Sequence, residues 1–225
     1  MLVKTKAIVL NYIKYKESSI IVRAYTEALG IQSYLVNGVR SSKAKSNKIA
    51  FYQPLSLLDM VVYYKKNSTQ GLFRVSEVRY SAIFQSFHSD IRKMMIALFL
   101  AELLSKTLQE EETNPTLFHF LHSSISFLAE QKENTENFHL SFLYQLAGYL
   151  GFQPSQSNDF FEPLQIPMTP SQQTVFEQLT QSNYHTPLSL TASERSQWID
   201  WWLLFYSLHI DNFGEMRSLA VLRAL

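Results

Sequence analysis

Residues 2–80 alternate apolar and polar positions with the period of two that marks half-buried strands. KTKAIVLNYI is the first run, followed by SIIVRAY, IQSYLVNGV, FYQPLSLLDMVVYYKK and LFRVSEVRYSA. Branched and aromatic residues dominate all five, as strands require. EALG and NSTQG break the pattern as turns, and Gly30 supplies the permissive backbone. Pro54 suits an edge or a bulge of the fourth strand. Five short strands in so little chain predict a small closed barrel, because closure removes exposed edges.

After residue 85 the period changes to that of a helix. Apolar residues at 91, 94, 95, 98, 99 and 103 form one stripe, with Ser89 or Asp90 as the N-cap. Asn114 and Pro115 open a second helix, whose stripe is Leu117, Phe118, Leu121, Ile125 and Leu128. ENFHLSFLYQLAGYLGF is a third helix that stops near Gly151. Residues 152–170, rich in Ser, Gln and Pro, read as an irregular excursion. A shorter helix begins near Ser171. A long one, capped by Thr191 or Ser193, precedes a short one in EMRSLAVLRAL. The expected fold class is α+β in two domains: a five-stranded barrel over residues 1–82 and an all-α domain over residues 83–225.

Charge sharpens that division. The whole chain of 225 residues carries a formal net charge of +1. Residues 1–80 hold nine Lys and four Arg against Glu17, Glu27, Asp59 and Glu77, an excess of +9; the remainder carries −8. Such a split between halves points to a polyanion as the partner of the first. The plainer alternative is that the bases merely solvate the strands. Composition is globular, with 46% hydrophobic and 14% aromatic residues. The absence of cysteine excludes disulfides, thiolate metal sites and cysteine nucleophiles, and fits a reducing compartment. The apolar part of MLVKTKAIVL is too short for a signal peptide, and the longest apolar run, residues 94–101, is too short to span a bilayer. A soluble, cytoplasmic protein without a membrane partner is expected.

Enzymatic signatures are missing. There is no GxxxxGK[ST] loop, no GxGxxG and no GxSxG elbow. His119 and His122 lie three apart on a helix, but no local acid completes a metal-binding set, so a surface or half-buried pair is the better reading. The acids of the basic half are scattered, which argues against a metal-dependent nuclease. Glu110, Glu111 and Glu112 read as a solvated helix end or the start of a loop. No catalytic residue, metal or cofactor is assigned.

The basic residues form the stronger constellation. NGVRSSKAKSNK, residues 37–48, holds Arg40, Lys43, Lys45 and Lys48 among small polar residues and no acid. Lys14 and Lys16 lie at the first inter-strand turn, Lys65 and Lys66 before the fifth strand, and Arg23, Arg74 and Arg79 on strands. In an OB-type barrel the loops after strands one and four flank the binding face. Cations there track phosphates and aromatic faces stack bases. Candidate aromatics are Tyr12, Tyr15, Tyr25, Tyr34, Phe51, Tyr52, Tyr63, Tyr64 and Phe73, with Tyr34 the one carried into the candidate site.

Several of these segments together resemble the RecO family of bacterial recombination mediators. They are Ala7-Ile8-Val9-Leu10, Glu17-Ser18-Ser19, the turn from Thr26 to Gly30, Asn37-Gly38-Val39-Arg40 and QPLSLLDM. SDIRKMMIALFLAELL, NPTLFHFL, LAGYLGFQP and MRSLAVL continue the likeness over almost the whole chain. Many members carry a four-cysteine zinc site after the LGFQP-like segment, where this chain has SQSNDFFEPLQIP. A zinc-free version is implied, its excursion held by the packing of Phe160, Phe161 and their neighbours. The resemblance implies an N-terminal OB-fold and a C-terminal helical domain. It implies binding of single- and double-stranded DNA, annealing of complementary strands and cooperation with RecR, in the bacterial cytoplasm at the nucleoid. It also implies help for RecA in displacing the single-stranded-DNA-binding protein, whose acidic, aromatic-ended tail docks on the helical domain. Such a tail needs an apolar pocket rimmed by a base; Arg92 and Lys93, just before an apolar stripe, are the choice here, with ordinary solvated helix residues as the alternative. The competing function is a protein-interaction adaptor whose helical domain does the work and whose barrel binds no DNA.

Overall fold

The computed structural model describes residues 1–39, 48–65, 71–81, 90–108, 113–132, 135–181, 184 and 188–223. The chain divides into two compact units, Met1–Ala129 and Glu130–Leu225.

In the first unit the five expected strands are β1 (Leu2–Tyr15), β2 (Ser19–Thr26), β3 (Gly30–Val36), β4 (Leu57–Tyr63) and β5 (Leu72–Tyr80). They close into a barrel in the order β1-β2-β3-β5-β4. β1 is long enough to pair antiparallel with both β2 and β4, and a register shift between Val9 and Asn11 gives it the bend that closure needs. β3 and β5 meet in parallel over Ser33–Leu35 and Leu72–Arg74. This is the five-stranded topology of an OB-fold. Alternate residues turn inward, as the period of two demands. Val9, Ile20, Val22, Tyr34, Leu58, Met60, Val62 and Phe73 form the core. A 3₁₀ turn, Lys48–Tyr52, joins β3 to β4; Tyr52 enters the core and the Phe51 ring packs 4.5 Å from Tyr80.

Two helices belong to this unit: α1 (Ile91–Thr107) and α2, which begins at Pro115 and runs to Glu130. Asp90 caps α1 by accepting from the Arg92 and Lys93 amides. Asn114 caps α2 by accepting from the Leu117 amide at 2.9 Å. The buried face of α2 is the expected one. That of α1 is rotated: Ile91, Met94 and Leu98 are exposed, while Lys93, Ile96, Ala97, Leu100 and Leu104 are buried with Phe99 and Leu103. MMIALFLAELL is apolar nearly all round, so its period alone cannot choose a face.

The second unit holds α3 (Phe138–Tyr149), α4 (Ser157–Phe161), α5 (Pro170–Gln181), α6 (Ala192–His209) and α7 (Leu219–Leu222). Gly151 stops the chain two residues past the end of α3; its φ of 87° lets Phe152 donate back to the Ala147 carbonyl and Gly151 to Gly148. Thr191 and Glu194 cap α6 reciprocally. The excursion contains α4, whose Gln156 and Asp159 form a second reciprocal cap. Phe160 and Phe161 are fully buried against Trp198, Trp201, Trp202 and Phe205. Both rings pack as the sequence suggests, against the aromatic face of α6.

Candidate nucleic-acid interface

β1 and β2 meet in a tight turn that carries Lys16 into solvent; Lys14, expected in that turn, instead lies with Tyr15 in the last residues of β1, paired with Ile20 and exposed. Lys16 takes a left-handed backbone, φ 51°, and its ammonium lies 5.4 Å from the Tyr15 ring centre. The Ser19 hydroxyl donates to the Asn37 side-chain oxygen at 3.0 Å, so the start of the basic loop lies beside this turn. Val39, which is buried, anchors the loop's entry in the barrel core. Lys48 is exposed at the start of the 3₁₀ turn, and Lys65 is exposed just past β4. Arg40, Lys43, Lys45 and Lys66 lie outside the described residues, as do Glu110, Glu111 and Glu112.

Two candidates sit elsewhere than the sequence suggests. Tyr34 is fully buried inside the barrel, and burial pushes its hydroxyl pKa well up; it fills the core and offers no face to a base. Arg23 points outward but donates to the Leu108 carbonyl at the C-terminus of α1, at 3.2 Å. Beside it, Asn11 donates to the Ser105 hydroxyl at 3.0 Å and the Tyr25 hydroxyl to the Asn114 carbonyl at 3.3 Å. α1 and the chain after it therefore cover this part of the β1–β2 surface. A guanidinium at a helix C-terminus satisfies an orphan carbonyl and faces the negative end of the dipole. Arg23→Ala is expected to lower stability by about 1–2 kcal/mol, measured by urea unfolding. An unchanged midpoint would show that the contact with the Leu108 carbonyl contributes nothing.

Of the other aromatics, Tyr25, Tyr52 and Phe73 are buried, and Tyr12, Phe51 and Tyr64 pack partly buried against the core. Tyr15 and Tyr63 remain exposed, at 36% and 55%. Around β1, β4 and β5 the outer surface forms an open basin whose charges balance: Lys4, Lys6 and Arg79 against Glu27, Asp59 and Glu77. Arg79 pairs with Asp59 at 3.1 Å, and His119 lies 3.8 Å from Glu27. Burial and the Lys6 charge lower the His122 pKa. Among the described residues no group of three or more His, Cys, Asp or Glu could hold a metal.

Lys93 also departs from expectation. It is buried, and its ammonium donates to the Ala129 carbonyl in the last turn of α2 at 2.8 Å; it joins two helices and cannot rim an open pocket. Arg92 stays exposed. In the second unit a groove of about 540 Å³ is lined by Leu203, Leu204, Phe213, Met216 and Leu219, with Arg223 ion-paired to Asp200.

Residues 1–84 match the family described as Recombination protein O N terminal, and residues 88–164 the one described as Recombination protein O C terminal. A protein of Flavobacterium psychrophilum named DNA repair protein RecO is 35% identical, over 99% of this chain and 98% of its own length. Proteins of the same name from Bacteroides fragilis and Flavobacterium johnsoniae are 36% and 32% identical, over 100% of this chain and 99% of their own lengths. With an OB-type barrel followed by helices and this likeness along its length, the chain belongs to the RecO family.

Proposed function

We propose that this protein acts in DNA repair as a non-catalytic mediator that binds single- and double-stranded DNA and anneals complementary strands. The observation that carries the reading is that the exposed bases Lys14 and Lys16 stand beside the start of the basic loop. Lys14 lies at the end of β1 and Lys16 opens the turn that Ser19 ties to the start of the basic loop, while the β1-β4-β5 surface is balanced in charge. Phosphates would be held by Lys14, Lys16, Lys48 and Lys65 together with Arg40, Lys43, Lys45 and Lys66. Annealing needs phosphates neutralised on two strands and bases left free to pair. It needs no catalytic group. RecR, the tail of the single-stranded-DNA-binding protein and, indirectly, RecA are the partners that family membership suggests. Arg92 at the start of α1 is the exposed base offered to that tail.

The test is the salt dependence of binding to a labelled single strand. Each cation–phosphate contact contributes about 0.7 to the slope of log affinity against log salt. The variant Lys14→Ala, Lys16→Ala, Lys48→Ala is expected to reduce that slope by about 2. Wild-type protein that fails to bind at low salt would favour the adaptor reading, in which the barrel faces a protein.

A further inference from the structure

The chain has ten asparagines, and only Asn37 is followed by glycine. Asn37 is exposed where the chain leaves β3, and Gly38 after it is half-buried. Gly38 holds a left-handed backbone, φ 72°, yet a methyl group on its Cα would meet nothing within 4 Å. Glycine therefore supplies a conformation here and not a close fit, and the space around its backbone is open. The β2–β3 ladder ends at Val36, and among the described residues the Gly38 amide donates to no acceptor. The Asn37 side chain, by contrast, is held. Its oxygen accepts from the Ser19 hydroxyl at 3.0 Å, and Ser19 is buried, which fixes the donor in place.

Nucleophile and electrophile thus sit in one short segment. A bond from the Gly38 nitrogen to the Asn37 Cγ closes a succinimide ring, and such intramolecular attack carries a large advantage of proximity. A hydroxyl that donates to the carboxamide oxygen stabilises the negative charge this oxygen gains during attack. We infer that Asn37 is a self-modification site, where the Gly38 nitrogen attacks a carboxamide polarised by Ser19. The Gly38 amide gives its proton to solvent base and its nitrogen bonds to Cγ. The bond from Cγ to the side-chain nitrogen breaks, and that nitrogen leaves as ammonia. Water then opens the ring at either carbonyl and leaves aspartate or isoaspartate. Asparagine and water have become an acid and ammonia, with nothing oxidised or reduced. The new carboxylate stands at the start of the basic loop, beside the turn that Lys16 opens. The isoaspartate form also adds a methylene to the main chain just before Val39, the loop's anchor in the core. Both products weaken the loop's hold on a polyanion. That consequence rests on the DNA-binding reading above; the conversion itself does not.

The experiment incubates the full chain in mildly alkaline buffer and digests samples at intervals. Mass spectrometry reads each asparagine peptide for the mass gain of an amide becoming an acid. Asn37 is expected to convert faster than every other asparagine. Ser19→Ala is expected to slow it about five-fold, the worth of one net hydrogen bond in the transition state. An unchanged rate at Asn11, which is bonded to Ser105, reports that the barrel of the variant stays folded. A labelled single strand then reads the consequence. Asn37→Asp represents the product and is expected to bind about five-fold more weakly at low salt. Asn37→Gln, whose longer side chain does not close this ring, is expected to keep its affinity through the incubation while the wild type loses its own. Conversion at Asn37 no faster than elsewhere overturns the site, as does a Ser19→Ala variant whose rate is unchanged or raised. Fast conversion with DNA affinity unchanged overturns the effect on the basic loop. Wild-type protein that binds no DNA at the outset overturns the DNA-binding reading, while the masses still decide the conversion.

Discussion

Replacing Phe160 with alanine is expected to lower the unfolding free energy of the second unit by about 3–5 kcal/mol, the usual loss when a fully buried aromatic is truncated in a close-packed core. Phe160 is completely buried, with ring centroids 4.5 Å from Trp202, 5.0 Å from Phe205, 5.8 Å from Phe176 and 5.9 Å from Trp198. Those neighbours come from α5 and α6, so one side chain ties the segment after α3 to both helices. The chain's three tryptophans, Trp198, Trp201 and Trp202, all sit in this cluster. Their fluorescence during urea unfolding therefore reports this unit and not the barrel. A loss below about 1 kcal/mol would mean that the segment is held by its caps and backbone instead.

That cluster also shows what was legible beforehand. The five strands, their turns and the barrel follow from alternation with few competing patterns, because a strand buried on one face writes its geometry in every second residue. Helix starts at Asp90, Asn114 and Thr191 were legible from capping chemistry. Phe160 and Phe161 stood out as large apolar residues in a polar stretch, which leaves burial as their use. The buried face of α1 was not legible. Where both faces are apolar, the neighbours decide, and Lys93 was drawn to the buried side by the Ala129 carbonyl at the end of α2.

The candidate site was legible in its charge and much less so in its members. A basic side chain on a strand reads the same whether it meets phosphate or a helix terminus. Arg23 meets the end of α1, a contact between residues 85 positions apart that no local pattern announces. Tyr34 lies on the inward set of β3 by its register, and alternation in IQSYLV is too short to fix which set that is. The outward placing of Ile13, Ile21 and Leu35 was hidden for the same reason: isoleucine and leucine in strands read as core until pairing places them outside. Lys16 needed no such pairing, since the turn itself exposes it.

Acid should weaken the second unit through His139. This histidine on α3 is fully buried, and burial, reinforced by the nearby positive charge of Arg195, pulls its pKa down to about 3. In the unfolded chain it titrates near the ordinary value of 6.5. Between those two values the unfolded state binds a proton that the folded state refuses, so stability falls as pH falls below about 6.5, by roughly 1.4 kcal/mol per pH unit. Above that value the group is neutral in both states and contributes no slope. The loss between pH 7 and pH 5 is expected to be about 2 kcal/mol from this residue alone. Carboxylates add their own dependence, including Glu194, whose pKa is lowered by the Thr191 amide and hydroxyl. His139→Leu keeps those carboxylates and removes only the imidazole. The difference between the wild-type and variant pH profiles, measured by tryptophan fluorescence in urea, therefore isolates the histidine. A variant whose stability falls between pH 7 and pH 5 as steeply as the wild type would show that the folded unit admits the proton. His139 would then have to reach water or an acceptor once charged, which its place in the core of α3 opposes.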